Sequence, residues 1–421
     1  MIQTFELFPG GTLRCFPDQR FKHGCLSIQL LRPMDRGEAA LNALLPAVLL
    51  RGSRSYPDLR DITLRLDDLY GASVGALVRR VGDWQTTGFY AGFTEDRFAM
   101  EGDRILAPMV ELLRELLEEP LTEKGIFRDD YVKSEKKNLI STIESQLNDK
   151  RAWAMEQLIG HMCGSDTLGI PRLGDKASVA AITPKSLYDH YRRILAESPM
   201  ALFYVGSEDP EKVARLLRQA FSHRRCVPAP LPPQTPCRVT AGLDKTQSMD
   251  VSQGKLSMGF STPVTCRDED FVATQVMNMI FGGGMTSKLF CHIREKLSLC
   301  YAIGSGYIGT KGIVTVSAGI DSRMDQTVRR EILGQLEAIC RGDISEEEIT
   351  AAKQALRSSL LATHDSPGAI ENYYSGAALS GLDMTPEQYL QQVEQTKAEQ
   401  ICRAAQQLQL QGVFFLKGVD A

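Results

Sequence analysis

The chain runs through one series of elements twice, and that repetition limits it to a fold built from two like halves. In the first half an alternating apolar run, CLSIQLL (25–31), leads into a helical stretch with Leu41, Leu44, Leu45 and Val48 at i, i+3, i+4, i+7 spacing. Arg51-Gly52-Ser53 follows, then a second helical stretch ending LDDLYGASV (66–74). TGFYAGF (87–93) reads as a strand, and a helix through Ile105, Met109, Leu112 and Leu116 stops at Pro120. A charged helix is predicted from near Asp129 to beyond Lys150. The second half gives KLSMGFS (255–261), a helix through Val272, Val276 and Ile280, the triplet Gly282-Gly283-Gly284, and a helix through Ile293 ending in LSLCYAIG (297–304). A strand at 312–320 comes next, then a helix through Val328, Ile332 and Leu336, then DISEEEITAAKQALRSSLL (343–361). The separations agree. Leu26 to Gly71 is 45 residues and Leu256 to Cys300 is 44; Leu26 to Gly52 is 26 and Leu256 to Gly283 is 27. Agreement over so many elements marks an internal duplication.

The stretch RRCVPAPLPPQTPC (224–237) separates the halves. Its five prolines fit neither a helix nor a central strand, so it reads as a linker. The expected organisation is a first half over 1–223, a linker over 224–242 and a second half over 243–421. Mixed strand runs and long helices predict an α+β class, each half a mostly antiparallel sheet with helices packed on one face. A net charge of −4 gives no electrostatic case for nucleic acid or an anionic membrane, and no apolar stretch reaches the ~18 residues of a membrane span. The N-terminus has no basic region followed by an apolar run, so no secretory leader is expected. The ten cysteines form no C-x-x-C pair, which favours reduced, mostly buried thiols in a cytoplasmic protein.

Phe281–Tyr301, FGGGMTSKLFCHIREKLSLCY, combines backbone freedom, a fixed cation and an aromatic hydroxyl as no other stretch does. It is not a phosphate loop, because the G-x-x-x-x-G-K-[ST] spacing is unmet. Gly282, Gly283 and Gly284 fit a tightly packed turn or a peptide contact. Arg294, followed by Glu295 and Lys296, fits a salt-bridged solvated face as well as a binding cation. Tyr301 fits a core aromatic as well as a donor. Lys288 and His292 are weaker candidates, expected at a surface or interface.

This stretch resembles the second-half motif of the pitrilysin/insulinase-type zinc peptidases, which include the mitochondrial processing peptidase. The duplication, linker and element order extend the resemblance over nearly the whole chain. It implies a clamshell of two halves that takes small unfolded peptides. In that family a first-half helix carries H-x-x-E-H, two zinc ligands and a general base, with a further Glu downstream. With Arg51-Gly52-Ser53 as anchor, the His positions fall on Ala43 and Ala47, the Glu on Pro46, and the downstream Glu on Thr142, beside Glu144. Neither a methyl group nor proline ligates metal or takes a proton. Pro46 also predicts a kinked helix at a cost of about 3 kcal/mol.

The six His (23, 161, 190, 223, 292, 364) include no two close enough to share a helix face. The resemblance assigns substrate binding to Arg294 and Tyr301, with the Tyr also stabilising the oxyanion. It implies no cofactor in this chain and zinc in a sister chain that carries H-x-x-E-H. The expected function is a non-catalytic subunit of a heteromeric zinc peptidase, with a homodimer as the other pairing. A stand-alone peptide-binding or scaffold protein and an independent metallopeptidase with unfamiliar ligands remain as alternatives.

Overall fold

The computed structural model describes residues 2–100, 102–224 and 226–418. The chain forms two compact units. One holds the residues up to 144 together with 171–233 and 364–376; the other holds 145–170, 234–363 and the residues from 377 onward.

The first unit is built on a six-stranded sheet: β1 (Gln3–Phe8), β2 (Gly11–Pro17), β3 (His23–Pro33), β4 (Ser73–Val81), β5 (Trp84–Thr94) and β6 (Met200–Gly206), in the order β1-β2-β6-β3-β5-β4. The second carries five strands: β7 (Leu243–Met249), β8 (Gly254–Ser261), β9 (Cys300–Ile308), β10 (Ile313–Ile320) and β11 (Gln409–Gly418), in the order β9-β10-β8-β11-β7. Read from β2 and from β7, the two orders are the same. In each, the pair at that end is parallel and every other pairing is antiparallel. The repeat in sequence is therefore a repeat in topology.

Period-2 alternation decides which face of each sheet is apolar. Leu26, Ile28 and Leu30 of β3 point into the main core of the first unit, where Leu44, Leu45 and Val48 of the Ala39–Leu49 helix and the Leu106–Glu118 helix cover them. The intervening Ser27 and Gln29 face the other side and are nevertheless buried. What buries them is the start of the Pro367–Ser380 helix, contributed by the second half of the sequence. In the second unit the reciprocal position belongs to the Lys150–Met162 helix, contributed by the first half. Each is followed by two further α-helices and then the last strand of its half, so the halves exchange equivalent helices. Helices thus cover one face of each sheet, and the opposite face receives one exchanged helix.

The two exchanged helices dock by different chemistry. Ala154, Leu158 and Met162 form an i, i+4, i+8 buried stripe. Gly259 and Gly412 let that stripe approach the sheet: a Cβ on Gly259 would lie 2.6 Å from the Met162 Sδ. The Pro367–Ser380 helix docks through the ion pair of its Glu371 with Arg79 on β4.

The single charged helix expected from Asp129 past Lys150 is in fact two. The first ends at Ser145, a 3₁₀ turn covers Gln146–Asn148, and Asp149 caps the Lys150–Met162 helix by accepting from the Arg151 and Ala152 N–H groups, each at 3.0 Å. The proline-rich stretch is irregular but pinned: the Trp84 indole donates to the Pro232 carbonyl at 2.8 Å. No helix among the described residues is long and apolar enough to cross a membrane.

Candidate functional site

The helix Ala39–Leu49 passes through Pro46 without breaking, and the Leu50 N–H reaches the Pro46 carbonyl at 3.1 Å. Proline has no N–H for the carbonyl four residues back, which belongs to Asn42. The Thr87 hydroxyl on β5 takes that place, donating to the Asn42 carbonyl at 2.7 Å. The Asn42 side chain is held as firmly. Its Nδ2 donates to Gln85 Oε1 at 2.9 Å, and its Oδ1 lies 2.7 Å from His190 Nε2. Arg193 Nη2 donates to His190 Nδ1 at 2.9 Å, so the imidazole is neutral with its proton on Nε2. Burial, reinforced by the Arg193 and Arg32 charges, pulls the His190 pKa down to about 3. This histidine is a structural hydrogen-bonding group.

Ala43 and Pro46 are buried and Ala47 is half-buried. Thr142 is exposed on the Asp129–Ser145 helix, its hydroxyl donating to the Asn138 carbonyl at 3.0 Å, and neighbouring Glu144 pairs with Lys176. These positions do not fit zinc: three offer no donor atom, and the fourth offers a hydroxyl committed to its own helix. Among the described residues, no group of three or more His, Cys, Asp or Glu could hold a metal ion.

The substitution of hydroxyl for helix bond is testable. Thr87→Val keeps the shape and strands a buried carbonyl, which should cost about 1–3 kcal/mol in urea unfolding. In a Pro46→Ala background the new N–H of residue 46 serves Asn42, and the same change should cost less than about 1 kcal/mol. Equal costs in both backgrounds would show that Thr87 is not standing in for the proline.

In the second unit the Gly-rich stretch ends the Phe271–Phe281 helix and turns against β9. The Ser305 N–H donates to the Gly282 carbonyl at 2.8 Å, and a Cβ on Gly282 would meet that same nitrogen at 2.7 Å. On Gly283 it would lie 2.8 Å from Met279 Cα, whereas Gly284 has room. Gly282 and Gly283 are thus required by close packing. All three glycines also line a cleft of about 490 Å³ with Ser305, Thr315 and Phe290.

One further lining residue, Arg151, escaped the sequence reading. It stands in the first turn of the exchanged Lys150–Met162 helix, and its Nε donates to Ser317 Oγ at 2.7 Å. Nothing local in the first half points to a cleft in the second unit. The N-cap at Asp149, which starts a new helix, was the available signal.

Leu289–Lys296 winds as a π-helix, with the Leu297 N–H donating to the His292 carbonyl five residues back. Such windings are rare and concentrate at functional positions. Two side-chain contacts hold it. Lys288, nearly buried, reaches Glu348 at 2.9 Å, and His292 Nε2 lies 3.4 Å from Glu331. Lys288 is thus a tied-down anchor, where a surface or interface residue was expected.

Arg294 projects from this π-helix, stacked 4.5 Å from the Phe290 ring centre and 3.5 Å from Glu295. Phe290 in turn lines the cleft, so the guanidinium flanks it without lining it. Ser298, at φ +51°, turns the chain into β9. There Cys300 pairs with Ile320 and Ala302 with Gly319, which leaves Tyr301 as the extra residue of a β-bulge. Tyr301 is 71% exposed and is no core aromatic. Burial raises the Cys300 thiol to about 11, and the Arg294 charge opposes that rise. Arg294 and Tyr301 therefore both border Cys300.

A family model described as the peptidase M16 inactive domain matches residues 181–356. The chain is 30% identical over 411 residues to the "Probable inactive metalloprotease YmfF" of Bacillus subtilis, covering 98% of this chain and 96% of that one. A conserved protein from Enterococcus faecalis V583 superposes with a TM-score of 0.92 at 28% identity, over 100% of this chain and 99% of that one. The crystal structure of a peptidase M16 inactive domain from Pseudomonas fluorescens shares the fold, with a TM-score of 0.82 at 18% identity over 99% and 98% of the two chains.

Proposed function

Because the chain belongs to the M16 peptidase family, among its inactive members, we propose that it is the non-catalytic subunit of a heteromeric zinc metallopeptidase. In this reading it supplies part of the chamber wall and the pair Arg294 and Tyr301 to a sister chain that carries the H-x-x-E-H zinc site. One contrast carries the reading. The helix where the family places its ligands has filled their space with alanine, proline and a closed hydrogen-bond network. The Gly-rich cleft, the π-helical Arg294 and the bulged Tyr301 stay open to solvent. Structural demand alone gives no reason to keep an exposed Tyr on a bulge.

The chemistry divides between the chains. The guanidinium offers planar, permanently charged donors to a peptide carbonyl or carboxylate. The phenol donates to the negative charge that develops on a carbonyl oxygen under attack. Zinc and the general base are the partner's. A second reading, peptide binding without a catalytic partner, draws on the cleft itself. Its Gly-rich walls, the Thr315 hydroxyl and Arg151 suit a peptide backbone.

Tagged full-length chain recovered from its native host separates the two. The expected result is a stoichiometric companion of similar size carrying H-x-x-E-H, with zinc in the complex and none in this chain alone. Recovery of this chain by itself, metal-free and still binding peptide, would overturn the subunit reading in favour of the binding protein. Zinc bound stoichiometrically by the lone chain would overturn both.

A further inference from the structure

Two cysteines outside the candidate site are held against each other. Cys163 closes the Lys150–Met162 helix, and Cys237 ends the proline-rich stretch 74 residues later. Three backbone bonds lay residues 237–240 along this turn. The Cys237 N–H donates to the Lys311 carbonyl at 2.8 Å, the Arg238 N–H to Asp166 Oδ2 at 3.1 Å, and the Thr240 N–H to the Met162 carbonyl at 2.8 Å. Asp166 is itself fixed, its N–H donating to the Cys163 carbonyl at 2.9 Å and its carboxylate taking the buried Lys311 ammonium at 2.9 Å. Gly169 closes the turn so tightly that a Cβ there would meet the Cys163 carbonyl oxygen at 2.3 Å. Cys163 is fully buried with Met162, Leu168 and Ile313, and Cys237 packs onto that cluster.

We propose that Cys163 and Cys237 are a modification site that closes to a disulfide when the chain meets a low-molecular-weight disulfide such as oxidised glutathione. Both side chains belong to one small apolar cluster, and residues 237–240 are bonded along the end of the helix that carries Cys163, so closing an S–S bond asks for no large backbone rearrangement. Cys237, the more accessible thiol, loses its proton and attacks R–S–S–R, forming a mixed disulfide and releasing RS⁻. The Cys163 thiolate then attacks Cys237 Sγ and releases the second RS⁻. The two protons lost go to the two leaving thiolates, so one R–S–S–R becomes two RSH and the protein loses two hydrogens. The new bond staples the proline-rich stretch to the end of the exchanged helix and closes a long loop in the unfolded chain.

The test treats the full reduced chain and its Cys237→Ser variant with oxidised glutathione. Each is then digested without reduction and analysed by mass spectrometry, and each is melted with and without dithiothreitol. The expected wild-type product is about 2 Da lighter, carries a Cys163–Cys237 linked peptide and melts about 5 °C higher than the reduced form. Cys237→Ser, which spares the buried Cys163, should fold, give no linked peptide and show no dithiothreitol-dependent shift. A stable glutathione adduct on Cys237, or a link only between Cys340 and Cys402, which also lie near each other, overturns the proposal.

Discussion

Tyr301→Phe, assayed in the complex with the proposed zinc-bearing partner, should lower peptide turnover about 100-fold while the two chains stay associated. The size follows from the role: removing one donor to a developing oxyanion costs on the order of 10²–10³ in kcat. The change should leave the fold alone, because the side chain is 71% exposed on a bulge. Arg294→Ala should act differently. Its guanidinium stacks on Phe290 beside the cleft, so with the proposed substrate-holding role KM should rise and kcat/KM fall about tenfold or more. Steady-state kinetics of wild type and both variants, with size-exclusion chromatography of each complex, decides the matter. Unchanged turnover in both variants removes the Arg/Tyr role, and dissociation of the complex by Tyr301→Phe reassigns that residue to the interface.

Much of this was legible because it rests on period and spacing. Alternation at 25–31 and 255–261 placed the central strands β3 and β8, and the matched separations revealed the duplication that the two sheet orders repeat. The absence of metal-binding side chains at Ala43, Pro46 and Ala47 is likewise a property of the residues themselves. Other features depend on partners distant in sequence. Ser27 and Gln29 are the polar half of the β3 alternation and read as solvent-facing, and no local rule says that Glu371, more than 340 residues later, covers and satisfies them. Arg151 reaches the Gly-rich cleft only because its helix belongs to the other unit. The π-winding at Leu289–Lys296 cannot be read from an apolar period, since Leu289 and Ile293 sit four residues apart as in any α-helix. Pro46 was read as a cost of about 3 kcal/mol, and Thr87, 41 residues on, is the group that answers its missing bond.

Arg79→Ala should be the most destabilising single polar substitution in the first unit, at about 3–5 kcal/mol. Glu371 is fully buried, on the one helix that the second half of the sequence lends to this sheet. Arg79 on β4 grips it bidentately, Nη1 to Oε1 at 2.9 Å and Nη2 to Oε2 at 2.7 Å. Ser27 Oγ and Gln29 Nε2 donate to Oε1 at 2.7 and 3.2 Å, and Gln29 reaches Ser375 at 2.9 Å. The carboxylate bonds the polar residues of a buried sheet face that also carries Cys25, Phe203 and Val205, which cluster with Ile370 of the same helix. Taking away the guanidinium leaves a buried charge with only two neutral donors, an outcome far costlier than losing a surface pair, which is worth about 0–1 kcal/mol. Denaturant unfolding should show the loss, with faster hydrogen exchange over residues 367–376 before global unfolding. Glu371→Gln in the Arg79→Ala background should recover part of the stability, because the neutral amide no longer demands a counter-charge. A loss below about 1 kcal/mol, or no recovery in the double variant, would mean that apolar contacts at Ile370 hold the exchanged helix and that the ion pair only sets its register.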